Sequence, residues 1–306
     1  MPRPPLAARP MMSPYTHPPD MPWTVGSPFR MRPGLSRLAE PADSPAAAPP
    51  ALFLRDALAP AYAQAKRAVL AGHRALAQVG QADPAVLQAI AQAYADQTGV
   101  ALAPQADALA QGLQEDFAIL HDEPDAAGAG TLRARFLSVC FPSNWDPAEK
   151  LGQDFAAIHA PVADNALLMA GARGIVDMAF RQAPMLRHVW LLTPDGELPQ
   201  HPQTRRTRWA DAVAQADAAG GRLVDRVFFR VERQTTLPLP ALGRGVFFIR
   251  VMTAPLTAVL AVAPERAAGL REALHSMSEA IVAYRGMAAV RPRLLAELDA
   301  LAAAQG

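Results

Sequence analysis

The chain has 306 residues, enough to bury a substantial core in one or two domains. Its 29 Lys and Arg residues nearly balance its 28 Asp and Glu residues, so no strong net charge attracts it to nucleic acid or to a membrane surface. A single cysteine excludes an intrachain disulfide and an iron–sulfur cluster held by this chain alone. The motifs CxxC, HExxH, GxGxxG and GxxxxGKS/T do not occur, so zinc, dinucleotide and P-loop sites have no support.

Residues 1–50 form a proline-rich segment with 14 of the 30 prolines. Proline lacks an N–H and fixes φ, so we expect extended or partly disordered chain here, with Trp23, Phe29 and Met31 able to anchor it in a groove. No apolar run typical of a signal peptide begins the sequence, and no stretch approaches the ~20 apolar residues of a membrane span. We therefore expect a cytoplasmic protein in which residues 51–306 fold as a single domain.

Residues 54–128 predict helices, because apolar residues recur there at three- and four-residue spacing. The first helical segment, "LRDALAPAYAQAKRAVLAGHRALAQVG", ends at a glycine, as does "DPAVLQAIAQAYADQTG". Asp83 and Pro84 give the second segment an N-cap followed by proline at the first helical position. His73 lies among basic residues of the first segment and is expected to face solvent.

Strand patterns follow, in segments rich in Val, Phe, Leu and Thr and bounded by Pro or Gly. They are "TLRARFLSVCF", "RHVWLLTP", "DRVFFRVERQTTLPLP" and "GVFFIRVMTAPL". A helical pattern lies between the first two, and the tail over residues 264–304 is helical with a break at Arg291 and Pro292. This order favours an α+β fold with a largely antiparallel sheet over a regular βαβ series.

Two rare side chains stand close together in "CFPSNWDPAEKLGQDFAAIHAPV". Cys140 ends an apolar strand, where a free cysteine is more often buried than nucleophilic. His159 lies near the end of a short apolar helical segment that Pro161 terminates. Such a histidine is usually a hydrogen-bonded core residue, but a histidine fixed at a helix end is also how proteins present imidazole to haem iron. The pattern alone leaves both interpretations open.

The segment "FFRVERQT" alternates charged and apolar side chains along a strand. Alternation places Arg230 and Glu232 on one face with Phe228, and the next strand carries Arg250. Charges on a buried face must be paired or bound to a ligand. A surface ladder of Arg–Glu pairs across strands would also explain the pattern.

Several separated blocks together resemble the haem-bearing alpha subunit of haem-dependent oxidative N-demethylases. They occur in the same order from Phe29 to Tyr284: "RMRPGL", "QEDFAIL", "SVCFPSNWDPAEKLGQDFAAIHAPV", and "FRVERQTTLPLP" followed by "FFIRV". The resemblance implies a PAS-like fold, in which an antiparallel sheet and helices enclose a haem pocket, with N- and C-terminal helical extensions. It also implies oxidation of a small methylated amine by O2, with release of formaldehyde.

The resemblance further implies the cofactors and partners. Haem b would be bound by this chain, whereas NADPH, FMN and a 2Fe–2S cluster would belong to partner reductase subunits. The absence of a dinucleotide motif and the single cysteine agree with that division of labour.

On this interpretation, His159 is the predicted axial ligand of the haem iron, with Cys140 as the alternative. The carboxylate of Glu232 is the predicted catalytic group that pairs with the amine and accepts its proton. The remaining predicted residues line the haem pocket, as walls or as cations for the propionates. They are Phe141, Trp145 and Ile158 for the walls, and Lys150, Arg230 and Arg250 for the propionates.

Two other functions use the same pocket. A haem-based PAS-type sensor would bind the cofactor without turnover, and a non-enzymatic module would bind another apolar ligand. An absorption spectrum distinguishes the last from the others, because only haem gives a Soret band.

Overall fold

The structure, a computed structural model, describes residues 16–38, 51–124 and 130–304. In these ranges the chain is a mixed α/β protein built on one seven-stranded sheet. The strands are β1 (Ser36–Arg37), β2 (Gln78–Gly80), β3 (Asp116–Pro124), β4 (Gly130–Ser138), β5 (Met185–Thr193), β6 (Phe228–Leu239) and β7 (Arg244–Pro255). Their order across the sheet is β1-β5-β6-β7-β3-β4-β2. Every neighbouring pair is antiparallel, as the sequence predicted.

Helices surround this sheet, and a π-helical turn at Met178–Gln182 follows the sixth of them. The α-helices in the described ranges are α1 (Ala59–Ala77), α2 (Pro84–Thr98), α3 (Ala106–Gly112), α4 (Phe155–His159), α5 (Ala166–Ala170), α6 (Ala172–Asp177), α7 (Trp209–Ala218), α8 (Leu256–Leu260), α9 (Glu265–Ser276), α10 (Glu279–Tyr284) and α11 (Arg291–Ala303).

Local signals account for several boundaries. The Asp83 side chain accepts hydrogen bonds from the first backbone N–H groups of α2, and Gly99 ends that helix at φ 70°. Pro292 lies in the first turn of α11, where its missing N–H costs nothing.

Two predictions of helix are wrong. The last residues of the first predicted helix form the edge strand β2 instead, because they pair with β4. Strand β3 lies inside the region predicted as helical, since "DFAILHDE" completes the ladder between β4 and β7. Tertiary pairing therefore overrides the local helical pattern at both places.

Side chains from the central strands β5, β6 and β7 divide between two faces of the sheet. We call one the core face; its residues include Trp190, Phe229, Val231 and Phe248, all of them buried. Helices α7 to α11 cover the half of this face formed by β5 and β6. Helices α2 and α3 cover the half near β3 and β7.

The N-terminal segment also packs on the core face. Trp23 stacks on Phe229 with ring centroids 5.2 Å apart. Phe29 meets Trp190 edge-on at 6.0 Å, and Met31 is half-buried against the same cluster. Residues 1–15 and 39–50 of the proline-rich segment lie outside the described residues.

The opposite side, which we call the loop face, carries Arg187, Val189, Glu232 and Phe247. Helix α1, the loop at residues 139–146 and the π-helical turn cover it, and the short helices α4 to α6 pack on one another beside that turn. Phe180 of that turn packs so closely on Gly245 that a Cβ there would lie 2.9 Å from its ring. The cover is incomplete, since Val189 and Phe247 remain half-buried rather than buried.

Candidate functional site

Glu232 lies near the centre of the loop face, opposite Val189 of β5 and Val251 of β7. Its side chain is 7% exposed, and both carboxylate oxygens accept hydrogen bonds. Ser143 Oγ donates to one oxygen, and Gln234 Nε2 donates to the other at 2.8 Å. Both donors are neutral, so these hydrogen bonds bring no positive charge to the carboxylate. Such a group is suited to bind a cation.

Arg230 holds the loops above Glu232 in place. Its guanidinium is fully buried and donates to the backbone carbonyls of Phe141 at 3.0 Å and Leu198 at 2.9 Å. It also donates to Ser143 Oγ at 2.8 Å. Burial lowers the pKa of Arg230 to about 10, so the side chain stays charged at neutral pH. Its donors already have protein acceptors, which fits a structural role better than the predicted propionate contact.

His159 is the last residue of α4, and Asp154 caps the start of that helix. Its Nδ1 donates to the Phe155 carbonyl at 2.8 Å, and the centroids of the two rings lie 4.1 Å apart with their planes tilted by 32°. Because a carbonyl can only accept, this hydrogen bond leaves the lone pair on Nε2. Metal-binding histidines have the same arrangement, in which the other ring nitrogen donates to a carbonyl.

Burial lowers the pKa of His159. The nearby positive charges of Arg187 and Lys150 lower it further, against the opposing effect of the Phe155 carbonyl. The imidazole is therefore neutral at neutral pH, which is the form that binds a metal.

The three predicted wall residues differ in burial. Phe141 is buried beneath α1, where its ring meets Tyr62 at 5.7 Å and forms part of the core. Trp145 is half-buried and packs against the same cluster of buried residues as Phe247 of the loop face. Ile158 is half-buried on α4 next to His159. Trp145 and Ile158 are therefore the two that still have apolar surface to offer a ligand.

Arg250 was predicted to share a pocket with Arg230, but it points to the other side of the sheet. In the β6–β7 register it lies opposite Arg233, one residue out of phase with Glu232. Its guanidinium pairs with Asp56 at 2.5 Å and lies over the Tyr62 ring at 5.3 Å. This position does not support the predicted propionate contact, because the face of a strand residue is fixed by the register between strands.

Lys150 ends the short 3-10 helix Pro147–Lys150, just before α4, and its side chain is half-buried. Its charge contributes to the lowered pKa of His159, so it lies near that ring. It remains a candidate to meet an anion there.

Cys140 lies just after the end of β4 and is buried. Burial raises its pKa to about 12, and the nearby Asp116 carboxylate adds to the shift. The thiolate form needed of a metal ligand or a nucleophile is thus disfavoured. Cys140 lines a surface cleft of about 370 Å³ between α1 and the residue 197–205 loop, and neither His159 nor Glu232 lines this cleft.

Arg187 was missed by the sequence analysis. It lies on the loop face opposite Gln234, and burial lowers its pKa although the Glu232 charge opposes the shift. Side chains alternate between the two faces along "RHVWLLT". Once the pairing of β5 with β6 was known, this alternation would have placed Arg187 on the same face as Glu232. Ser143 and Gln234 were also missed, since their roles depend on contact with Glu232 rather than on a motif.

Comparison with known proteins identifies the family. The model of a family described as haem-dependent oxidative N-demethylase, alpha subunit-like, matches residues 86–295. The chain belongs to this family. Among curated proteins, none matches the sequence.

Membership in the N-demethylase alpha subunit-like family implies haem, and the loop face has groups that fit it. His159 offers a neutral ring nitrogen, Trp145 and Ile158 offer apolar surface, and Arg187 and Lys150 offer positive charge. Arg187 Nε is also buried without a hydrogen-bond partner among the described residues. In the same ranges, no helix has the length and apolarity needed to cross a membrane.

Proposed function

We propose that this chain is the haem-bearing component of an oxidative N-demethylase that acts on a small methylated amine and releases formaldehyde. The proposal includes haem b as the cofactor, held by His159 in a PAS-like pocket over the loop face. The observation that carries it is Glu232, a buried carboxylate with only neutral hydrogen-bond donors, on the face that also holds Arg187 near His159.

Small secondary and tertiary amines are protonated at neutral pH, so a pocket that takes them must accept an ammonium ion. Glu232 provides the countercharge, and Ser143 and Gln234 fix the direction of its carboxylate. When the amine gives up its proton, the same carboxylate accepts it. This arrangement binds the charged amine and then delivers it in its oxidisable, neutral form.

Haem, when bound, supplies the iron centre at which O2 is reduced with two electrons and two protons. The overall reaction converts one N-methyl group and O2 to the demethylated amine, formaldehyde and water. Within this reaction the chain's own residues bind the amine, hold its proton at a Glu232 oxygen and exclude water through the loop at residues 139–146.

The electrons come from partner subunits. We propose that NADPH delivers them through FMN and a 2Fe–2S cluster on separate chains, in keeping with the alpha-subunit description of the family. This chain would then operate only as part of an assembly.

Spectroscopy of the purified chain tests the proposal. Added haem is expected to give a Soret band, and a methylated amine is expected to shift it. With reductase subunits, NADPH and O2, formaldehyde should appear in proportion to the amine consumed. A Soret band that no amine shifts would contradict the enzyme and favour a sensor, and no Soret band would contradict both.

A further inference from the structure

Arg187 has one unsatisfied guanidinium nitrogen on the loop face. Its Nε is buried and has no hydrogen-bond partner among the residues that the structure describes. A buried charge without a hydrogen-bonded partner is destabilising, so such a group calls for an anion that is not part of the folded chain.

Other arginines of the central strands have protein partners. Arg230 donates to loop carbonyls, Arg233 donates to the carbonyls of Ala51 and Leu52, and Arg250 pairs with Asp56. Arg244, near the start of β7, pairs with Asp83 at 3.0 Å. Arg250 Nε is also without a partner, but the other two nitrogens of that guanidinium bond to Leu54 and Asp56. Arg187 differs from all four because its guanidinium has no hydrogen bond or ion pair with any residue that the structure describes.

The carboxylate nearest in the register does not satisfy Arg187. Glu232 lies two residue pairs further along the β5–β6 ladder, and Gln234, directly opposite Arg187, donates its amide to Glu232. Glu232 also accepts from Ser143. The Glu232 charge therefore acts on Arg187 across space, while its oxygens are held by other donors.

Arg187 also lies near His159, and so does Lys150, since both charges affect that imidazole. Two cations thus lie within electrostatic range of the proposed iron ligand. Haem b carries two carboxylates on its propionate side chains, and a guanidinium binds a carboxylate through two parallel N–H···O bonds.

We propose that Arg187 binds a propionate carboxylate of the haem, and that Lys150 is available for the other. This inference rests on the proposed haem binding at His159. It replaces Arg230 and Arg250, which were predicted for this role, with a residue whose donor is free to take it.

Titration of the haem-free protein with haem b and with its dimethyl ester tests the inference, with the Soret band as the signal. Arg187→Met is expected to weaken binding of haem b by about thirtyfold or more, as for loss of one partner of a buried charge pair. Wild type and variant should bind the ester, which has no carboxylate, with similar affinity. Arg222→Met, which removes an exposed arginine paired with Asp225, serves as the control and should leave both affinities unchanged.

A second measurement separates this role from a structural one. Arg187 has no hydrogen-bonded partner in the described chain, so the thermal midpoint of the haem-free Arg187→Met protein should stay close to that of wild type, whereas loss of a structural residue would lower it. Unchanged affinity for haem b, or an equal loss for haem b and its ester, would overturn the inference while leaving haem binding in place. If wild type itself gave no Soret band, the proposed function and this inference would both fail.

Discussion

The two faces of the central strands differ in how completely they are covered, although the same strands supply both. On the core face, Phe229 and Val231 are 0% exposed beneath helices and the N-terminal segment. On the loop face, Val189, Leu191 and Phe247 stay half-buried beside charged groups. Apolar side chains left half-covered within a folded domain are typical of ligand sites. We therefore expect the core face to provide stability and the incompletely covered part of the loop face to take the proposed ligand.

The largest expected effect is on haem itself. His159→Ala should abolish or strongly weaken the Soret band, because it removes the imidazole proposed as the iron ligand. Cys140→Ser, a change in the neighbouring core, should leave the band in place. Loss of a thiolate-type spectrum in the serine variant would show that the ligand assignment is wrong.

Glu232→Gln should separate cofactor binding from amine binding. The variant keeps the shape of the side chain but removes its charge, so haem binding should persist while amine affinity and turnover fall. The expected loss is about 2–5 kcal/mol, as for a truncated buried charge pair. Amine titration of the haem-loaded variant measures it. An unaltered amine-induced spectral shift would rule out this role for Glu232.

A matched pair of valines tests the comparison of the faces directly. Val231→Ala on the core face should lower the free energy of unfolding by about 2 kcal/mol, through lost burial and a residual cavity. Val189→Ala on the loop face should cost less than about 1 kcal/mol, since that side chain is already half-covered. Urea denaturation of the haem-free proteins measures both. Equal costs would contradict the difference in packing.

Ser143→Ala should have a smaller effect. It tests the contact between the loop at residues 139–146 and the carboxylate of Glu232. It removes the hydrogen bond to Glu232 and leaves Arg230 Nε without its acceptor, at a cost of about 1–3 kcal/mol in unfolding free energy. Amine affinity should fall less than in Glu232→Gln. Ser143→Thr keeps a hydroxyl and should restore amine binding; if it does not, the hydroxyl is not what positions Glu232.

The smallest effect expected is a pH dependence. Burial lowers the pKa of His159 from its ordinary value of 6.5, so its imidazole stays neutral as the pH falls through 6.5, while an unfolded chain would already bind the proton. Haem should therefore be retained at pH 6.5 and lost only below it, and the free energy of unfolding should decrease as the pH falls. Soret absorbance against pH checks this. A midpoint at or above 6.5 would contradict the direction of the shift.

The sequence predicted the antiparallel sheet, because alternation and bounding Pro and Gly residues mark β4 to β7 locally. It missed β3, whose identity depends on partners far along the chain. It also placed His159 and Glu232 as candidates from residue type and family resemblance. It could not place Arg250, since the β6–β7 register, rather than the content of either strand, sets Arg250 opposite Arg233. Arg187 was missed for the same reason, because the β5–β6 register decides which residues lie beside it.

The contacts of Arg230 have a consequence for how this protein can change. Its guanidinium binds the main-chain oxygens of Phe141, Glu197 and Leu198, and every amino acid carries such an oxygen. Side chains at those positions can therefore be exchanged without removing the acceptors that fix the two loops to the sheet. A lineage could accumulate substitutions along these loops, and so acquire new substrates, while the placement of Ser143 over Glu232 is inherited unchanged.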